Sequence, residues 1–81
     1  MATDNKITYI FKDLKKLRED AGLSRAVLAR RAELDRGTIK RLEEGHSGRK
    51  ENLIRVCNAL NELYYQGKGS PLSHEEYVIS E

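Results

Sequence analysis

Apolar side chains recur at helical spacing in four stretches of the chain, separated by short polar breaks. Ile10, Leu14 and Leu17 follow the i, i+4, i+7 spacing of one helix face, widened by Phe11, with Lys12, Lys15, Lys16, Arg18 and Glu19 on the remaining faces. The pattern predicts a first helix that ends near Asp20 and Ala21, closed by Gly22 in the left-handed position with Leu23 packing back over the last turn. Ser24 offers an N-cap hydroxyl, so a short second helix is predicted over Arg25–Ala32 with Leu28, Ala29 and Ala32 inward. Asp35 is a second N-cap signal and opens a third helix over residues 36–44, which Gly45 stops. Only Ile39 and Leu42 are apolar there, leaving one thin buried stripe on an otherwise polar helix.

Residues 46–50, His-Ser-Gly-Arg-Lys, read as a flexible basic loop. Beyond it, Leu53, Val56, Cys57, Leu60 and Tyr64, flanked by Ile54 and Leu63, predict a fourth amphipathic helix from about Glu51 to about Gln66. Glycines and Pro71 in residues 67–71 then break structure, dividing the chain into a domain over 1–66 and a tail over 67–81. In the tail Ser73-His74-Glu75-Glu76 resembles a capping box, whereas Tyr77-Val78-Ile79 favours a strand; a short strand or ordered arm is expected.

Charge sharpens this outline. The 81 residues carry 15 Lys and Arg against 13 Asp and Glu, a formal +2. Residues 1–50 hold 13 basic and 8 acidic side chains, a net +5, while residues 51–81 hold 2 basic and 5 acidic, a net −3. A basic amino-terminal part and an acidic tail point to a polyanion as partner. The length admits one small domain, with no room for a catalytic domain beside a binding domain.

A single cysteine precludes an intramolecular disulfide and points to a reducing cytoplasm. No run of about 18 apolar residues could span a membrane, and the stretch Met1-Ala2-Thr3-Asp4-Asn5-Lys6 lacks the apolar core of a secretory signal. Cys57, His46 and His74 cannot complete a four-ligand zinc site, and Cys57 lies in an apolar helical pattern, as a core residue does. The aromatics Tyr9, Phe11, Tyr64, Tyr65 and Tyr77 fall outside residues 12–63, so the basic region has no stacking platform for single strands. Neither catalysis, metal nor cofactor is expected.

Two short helices joined by a tight turn, the second polar on most sides, suit a helix-turn-helix. A helix that enters the major groove must bury one edge in its own domain and offer long polar side chains to base edges. The run Leu17-Arg18-Glu19-Asp20-Ala21-Gly22-Leu23-Ser24, then Leu28-Ala29, Asp35-Arg36-Gly37-Thr38-Ile39 and Arg41-Leu42-Glu43-Glu44-Gly45 together resemble the helix-turn-helix of phage lambda-repressor and Cro type, the Xre family. The resemblance covers about residues 9–63. It implies an all-α fold, a compact bundle of four to five helices, here with a C-terminal arm or strand, that binds operator DNA as a two-fold dimer. It also implies that Arg25 stands where the family often has a Gln contacting phosphate or base, and that Arg36, Gly37, Thr38 and Arg41 match recognition-helix contacts. Three positions depart from the pattern: Glu33 stands where many relatives have Gly, Val27 replaces a polar surface residue, and Lys50 a frequently apolar one.

The chemistry of these side chains agrees. Arg36 and Arg41 can donate bidentately to guanine, each good pair contributing about 1 to 3 kcal/mol of discrimination. Gly37 lets the backbone approach a phosphate or thymine methyl. Ser24 and Thr38 are phosphate donors, Lys40 is a further candidate, and Arg25, Arg31 and Arg49 neutralise phosphates. Glu43 is expected to pair with an arginine of its own domain.

Leu60, Leu63, Tyr64, Tyr77, Val78 and Ile79 exceed what covers one helix. Either the tail folds back on its own core, or these residues build a symmetric dimer or partner interface. The expected function is a sequence-specific regulator on double-stranded DNA, a homodimeric repressor or autoregulator on an inverted repeat, in the cytoplasm of a bacterium or encoded by a phage. The alternative is an antitoxin that binds DNA and grips a protein toxin through its C-terminal region; a helical module that binds only protein is a third reading.

Overall fold

Local cap chemistry sets the helix boundaries. In the computed structural model, which describes residues 8–81, α1 spans Leu14–Asp20, α2 Arg25–Ala32, α3 Arg36–Glu43 and α4 Lys50–Leu60. The amino-terminal stretch read for a secretory signal lies outside these residues. Ser24 Oγ accepts from the Val27 amide at 3.1 Å, and Asp35 Oδ1 accepts from the Thr38 amide at 3.3 Å. Each oxygen satisfies an amide that the first turn of a helix leaves without a carbonyl partner, so α2 and α3 begin one residue after the predicted caps.

The first three helices end alike. An amide five residues on returns to a carbonyl of the last turn: Leu23 to Arg18 at 3.1 Å, Leu34 to Ala29 at 2.9 Å and His46 to Arg41 at 3.0 Å. This closure needs a left-handed residue just before the returning amide. Gly22 (φ 70°) and Gly45 (φ 95°) supply it after α1 and α3; after α2 the position is held by Glu33 at φ 62°, which carries a Cβ into a conformation that disfavours one.

α4 is the central support. Leu53, Val56 and Leu60 on α4, Leu28 on α2 and Ile39 on α3 are fully buried, and α2 and α3 meet over this core. Cys57 lies in the same core, where burial pushes its thiol pKa up.

Four expectations are corrected. Ile10 and Phe11 do not belong to the first helix but to a strand, β1 (Tyr9–Phe11), because Asp13 at φ 59° turns the chain between strand and helix. The fourth helix is α-helical only to Leu60 and continues as a π-helical turn over Asn61–Tyr65, with the Gln66 amide reaching back to Asn61 at 2.8 Å. The loop expected to be flexible is pinned, since Gly48 exchanges both backbone hydrogen bonds with Tyr9, at 2.9 and 2.8 Å. A Cβ at Gly48 would lie 3.1 Å from Leu53 Cδ1, so a side chain there would press on the core. Finally, the two readings of the tail are both realised in succession, as a single helical turn α5 (His74–Tyr77) followed by strand β2 (Val78–Ser80). Ser73 makes no side-chain cap bond, so the capping box itself does not form.

β2 pairs antiparallel with β1, Tyr9 opposite Ser80, Ile10 opposite Ile79 and Phe11 opposite Val78. The tail therefore folds back on its own core, where Val78 is buried and Tyr77 stacks on Phe11 at 6.5 Å between ring centroids. Asn61 fixes the connection: its amide accepts from the Leu72 N–H at 2.7 Å and donates to the Leu72 carbonyl at 3.0 Å. Tyr65 donates its hydroxyl to the Leu17 carbonyl at 2.7 Å, tying the π-helical turn to α1. Mostly helical, the chain thus has five helices and one two-stranded sheet among the described residues.

One ionic cluster joins three helices. The Glu43 side chain, 2% exposed, accepts from Arg18 Nε on α1 and from Arg25 Nε on α2 at 2.9 Å. Arg18, itself buried, also donates Nη1 to the Leu23 carbonyl at 2.8 Å. Burial pushes the Glu43 carboxyl up, but the hydrogen bonds and charges of Arg18 and Arg25 together outweigh it and hold the pKa below the ordinary 4.5. A depressed folded value means that the contribution is complete above the unfolded pKa and is lost as pH falls through the folded one.

Urea unfolding between pH 7 and pH 3 should show an acid limb below about pH 4.5, where paired carboxylates protonate. Glu43→Gln should flatten that limb and lower stability at pH 7 by about 3 kcal/mol, since it leaves the buried Arg18 with only the exposed Glu19 carboxylate at 3.9 Å as counter-charge. Glu33→Gly should stabilise the chain by up to about 1 kcal/mol by relieving the left-handed Cβ, read as a higher urea midpoint.

Candidate nucleic-acid interface

α2 and α3 are joined by residues 33–35, the tight connection of a helix-turn-helix. Ile39 and Leu42 bury one edge of α3, and their 3.6-residue periodicity leaves Arg36, Lys40 and Arg41 exposed on the others. Ser24, Arg25, Arg36, Gly37 and Lys40 line one groove between the starts of α2 and α3, with Arg18 at its base. Five of the eight expected DNA-binding residues thus share a single concavity; Thr38, Arg41 and Arg49 lie outside it.

Arg41 is oriented by its own helix. Its Nη2 donates to Thr38 Oγ1 at 3.4 Å, and the Thr38 hydroxyl donates in turn to Asp35. Thr38, expected as a phosphate donor, has its proton engaged by Asp35 and acts here as a positioning group. The bonds from Thr38, aided by the Arg41 charge, hold the Asp35 carboxyl below its usual range. A Cβ at Gly37 would lie 3.7 Å from Arg41 Nη1 and 3.5 Å from Asp35 Oδ2. The bare Gly37 surface is therefore covered by the guanidinium of Arg41, folded back toward the start of α3. The Asp-x-x-Thr spacing of Asp35 and Thr38 is the sequence signal for this arrangement, and its consequence for Arg41 was not drawn from it.

The basic side chains divide into two groups. Arg25 is tied through Nε to Glu43, leaving its terminal nitrogens free of that bond, and its side chain is 39% exposed. Arg31 Nε pairs with Glu62 at 2.7 Å, and Arg55 approaches Glu33 at 3.8 Å. Lys50 lies over the Tyr9 ring at 5.5 Å, which gives this departure from the resemblance a place in the fold. By contrast, Arg36, Lys40, Arg41 and Arg49 make no ion pair with any described residue, as is true also of Lys12, Lys15 and Arg30 outside the groove. Arg49 stands at the start of α4, directly after the Gly48 that β1 holds in place. Ser24 accepts from Val27 as a cap, so its own hydroxyl proton remains available to an acceptor.

The six residues expected at a dimer or partner interface separate as well. Leu60 and Val78 lie in the core of their own chain; Leu63, Tyr64 and Tyr77 are half-buried; Ile79 is 39% exposed. Tyr64 packs edge-on against Tyr65 at 4.9 Å, under the Lys68 ammonium. Val27, the other exposed large apolar side chain among the described residues, borders a shallow cleft with Leu63 and the Arg31–Glu62 pair.

Among the described residues no helix is long and apolar enough to cross a membrane. A search of curated proteins and a search of solved structures returned no match. A family model described as a helix-turn-helix domain matches residues 13–62, more than half of the chain and all of α1 to α4, including every residue of the groove. With its cap-turn-cap connection and its polar third helix, the chain belongs to the helix-turn-helix domain family, a DNA-binding architecture.

Proposed function

We propose that the chain is a sequence-specific regulator of transcription that binds double-stranded DNA as a homodimer on an inverted repeat. The observation that carries this reading is the gathering of exposed cations without ion pairs on the polar side of α3. Arg36, Lys40 and Arg41 lie exposed on α3 and make no ion pair with a described residue, Arg41 having only the nearby charge of Asp35, although acidic side chains elsewhere pair with Arg18, Arg25 and Arg31. Unpaired arginines on a helix whose other edge is buried suit a partner that brings its own negative charge and acceptor edges.

In this reading α3 lies in the major groove. Arg36 and Arg41 donate to guanine O6 and N7, and Lys40 reaches a base or phosphate beside them. Ser24, Arg25 and Arg49 meet the backbone on either side, setting the register of α3 without reading sequence. Thr38 serves this reading through Arg41, by presenting its hydroxyl oxygen to the guanidinium. A domain bound over a promoter blocks polymerase by occupancy alone, which favours repression or autoregulation, and the place of work is the bacterial nucleoid.

Selection of bound duplexes from random DNA tests the reading directly. The expected outcome is a two-fold motif with half-sites about 10 bp apart, centre to centre; recovery of no preferred duplex overturns it. Against the selected sequence, Arg36→Ala and Arg41→Ala should each lose about 1 to 3 kcal/mol of preference for guanine at one position, measured by competition with point-substituted duplexes. Arg49→Ala should weaken all duplexes alike and lower the slope of log affinity against log salt by about one.

A further inference from the structure

Asp35 has a second oxygen that its capping role leaves unused. Both bonds from Thr38, that of its amide at 3.3 Å and that of its hydroxyl, go to Oδ1, and Oδ2 accepts from no described residue. Capping α3 does not need a carboxylate, since serine caps about as well, and Ser24 caps α2 with its hydroxyl. An exposed negative charge at the leading end of a helix that carries Arg36, Lys40 and Arg41 lowers affinity for phosphates beside any sequence. On the DNA itself that loss is offset only where Oδ2 meets a hydrogen-bond donor.

Oδ2 does not stand alone. It lies 3.5 Å from the point where a Cβ at Gly37 would sit, and Arg41 Nη1 lies 3.7 Å from the same point. Gly37 has no side chain to separate them, yet the two groups make no ion pair with each other. A carboxylate oxygen and a guanidinium therefore stand side by side over bare backbone in the first turn of α3, with room between them for the edge of a base. Arg41 Nη2 is turned to Thr38 Oγ1 at 3.4 Å, which leaves Nη1 and Nε for an outside acceptor. Because Thr38 also bonds Asp35, one network holds the donor and the acceptor in place.

In the major groove a G·C pair presents the guanine acceptors N7 and O6 and then the amino group of cytosine, whereas an A·T pair presents acceptor, donor, acceptor. Arg41 supplies donors for the first two groups of G·C, and Asp35 Oδ2 an acceptor for the third. Guanine O6 and cytosine N4 are themselves hydrogen-bonded, about 3 Å apart, so groups on either side of Gly37 can reach both. A reversed pair or an A·T pair sets Oδ2 against an acceptor, which repels it. We propose that Asp35 is a base-reading residue: its Oδ2 accepts from the amino group of the cytosine whose guanine Arg41 takes, so that the two side chains read one G·C pair of each half-site across both strands. This deepens the regulator reading and rests on it, adding to its cations a contact of opposite sign.

The test uses the full chain and the duplex it selects from random DNA. Arg41→Ala identifies the guanine that Arg41 reads, and N4-methylcytosine is then placed opposite that guanine. The methyl group replaces the amino hydrogen that faces the major groove and leaves guanine O6 and N7 unaltered. In competition, the wild type should bind the methylated duplex about fivefold or more weakly than the unmodified one. Asp35→Ser keeps a capping oxygen and with it the circular dichroism spectrum of the wild type. It should bind both duplexes alike and select a motif in which that pair is less strictly specified. If the wild type does not distinguish the two duplexes, or if folded Asp35→Ser distinguishes them as strongly, Asp35 does not read the amino group and the proposal falls. It falls too if Arg41→Ala leaves every position of the motif unchanged. The two readings fail distinguishably: a chain that selects no duplex overturns both, whereas a chain that selects a two-fold motif but is indifferent to the methyl group keeps the regulator and loses only the role of Asp35.

Discussion

The arrangement of the three helices α1, α2 and α3 depends on one buried carboxylate. Glu43 stands at the last turn of α3, and its two oxygens are held by Arg18 of α1 and Arg25 of α2. Apolar burial fixes that these helices pack but is indifferent to small rotations among them, since it scales with area and has no direction. The ionic cluster supplies direction. With Glu43 2% exposed, parting it from both guanidiniums would leave a buried carboxylate uncompensated, so helix rotations that separate all three side chains are strongly disfavoured. Arg25 is thereby fixed in the groove at the start of α2, and the same bond that holds the fold sets where its free nitrogens point.

A second constraint acts at the far end of the chain. β1, β2 and Gly48 form three adjacent stretches drawn from the beginning, the end and the middle of the sequence. The loop before α4 would otherwise be a short polar connection. Because Gly48 exchanges two hydrogen bonds with Tyr9, Arg49 is presented from a fixed backbone, at the start of a helix whose core residue Leu53 packs against Gly48. The tail thus fixes the position of Arg49 indirectly, through β1.

The sequence was most legible where the signals are local. Ser24 and Asp35 place α2 and α3 correctly because a cap acts within three residues, and the thin stripe of Ile39 and Leu42 says which side of α3 is buried. Ile10 and Phe11 misled for a physical reason: Phe11 joins the same buried region as Leu14 and Leu17 and Ile10 is four residues before Leu14, so the spacing suits a helix, but the partner that makes them a strand lies at residues 78–80. The π-helical turn after Leu60 was hidden because one extra residue per turn leaves the apolar character of Leu63 and Tyr64 unchanged. Glu43 was correctly assigned to an internal pair, but that Arg18 and Arg25 share it required the relative placement of three helices. Glu33, noted only as a departure from a usual glycine, proves to occupy the left-handed position that the glycine would have served.

Magnitude decides which basic side chains remain open to a polyanion. The Arg31–Glu62 pair is about half exposed on both sides, and such pairs contribute about 0 to 1 kcal/mol, so a phosphate of comparable charge exchanges with Glu62 at little loss. The Arg25–Glu43 pair differs in kind, because its carboxylate is buried and would be held by Arg18 alone if Arg25 turned away, a greater loss than at an exposed pair. Arg25 can meet a phosphate only with the nitrogens that Glu43 does not use, and so only from one direction. Arg31 has no such restriction. Two arginines of one short helix are therefore not equivalent: the buried acid fixes the direction of the Arg25 guanidinium, while Arg31 holds its exposed partner loosely and is free to turn to another anion.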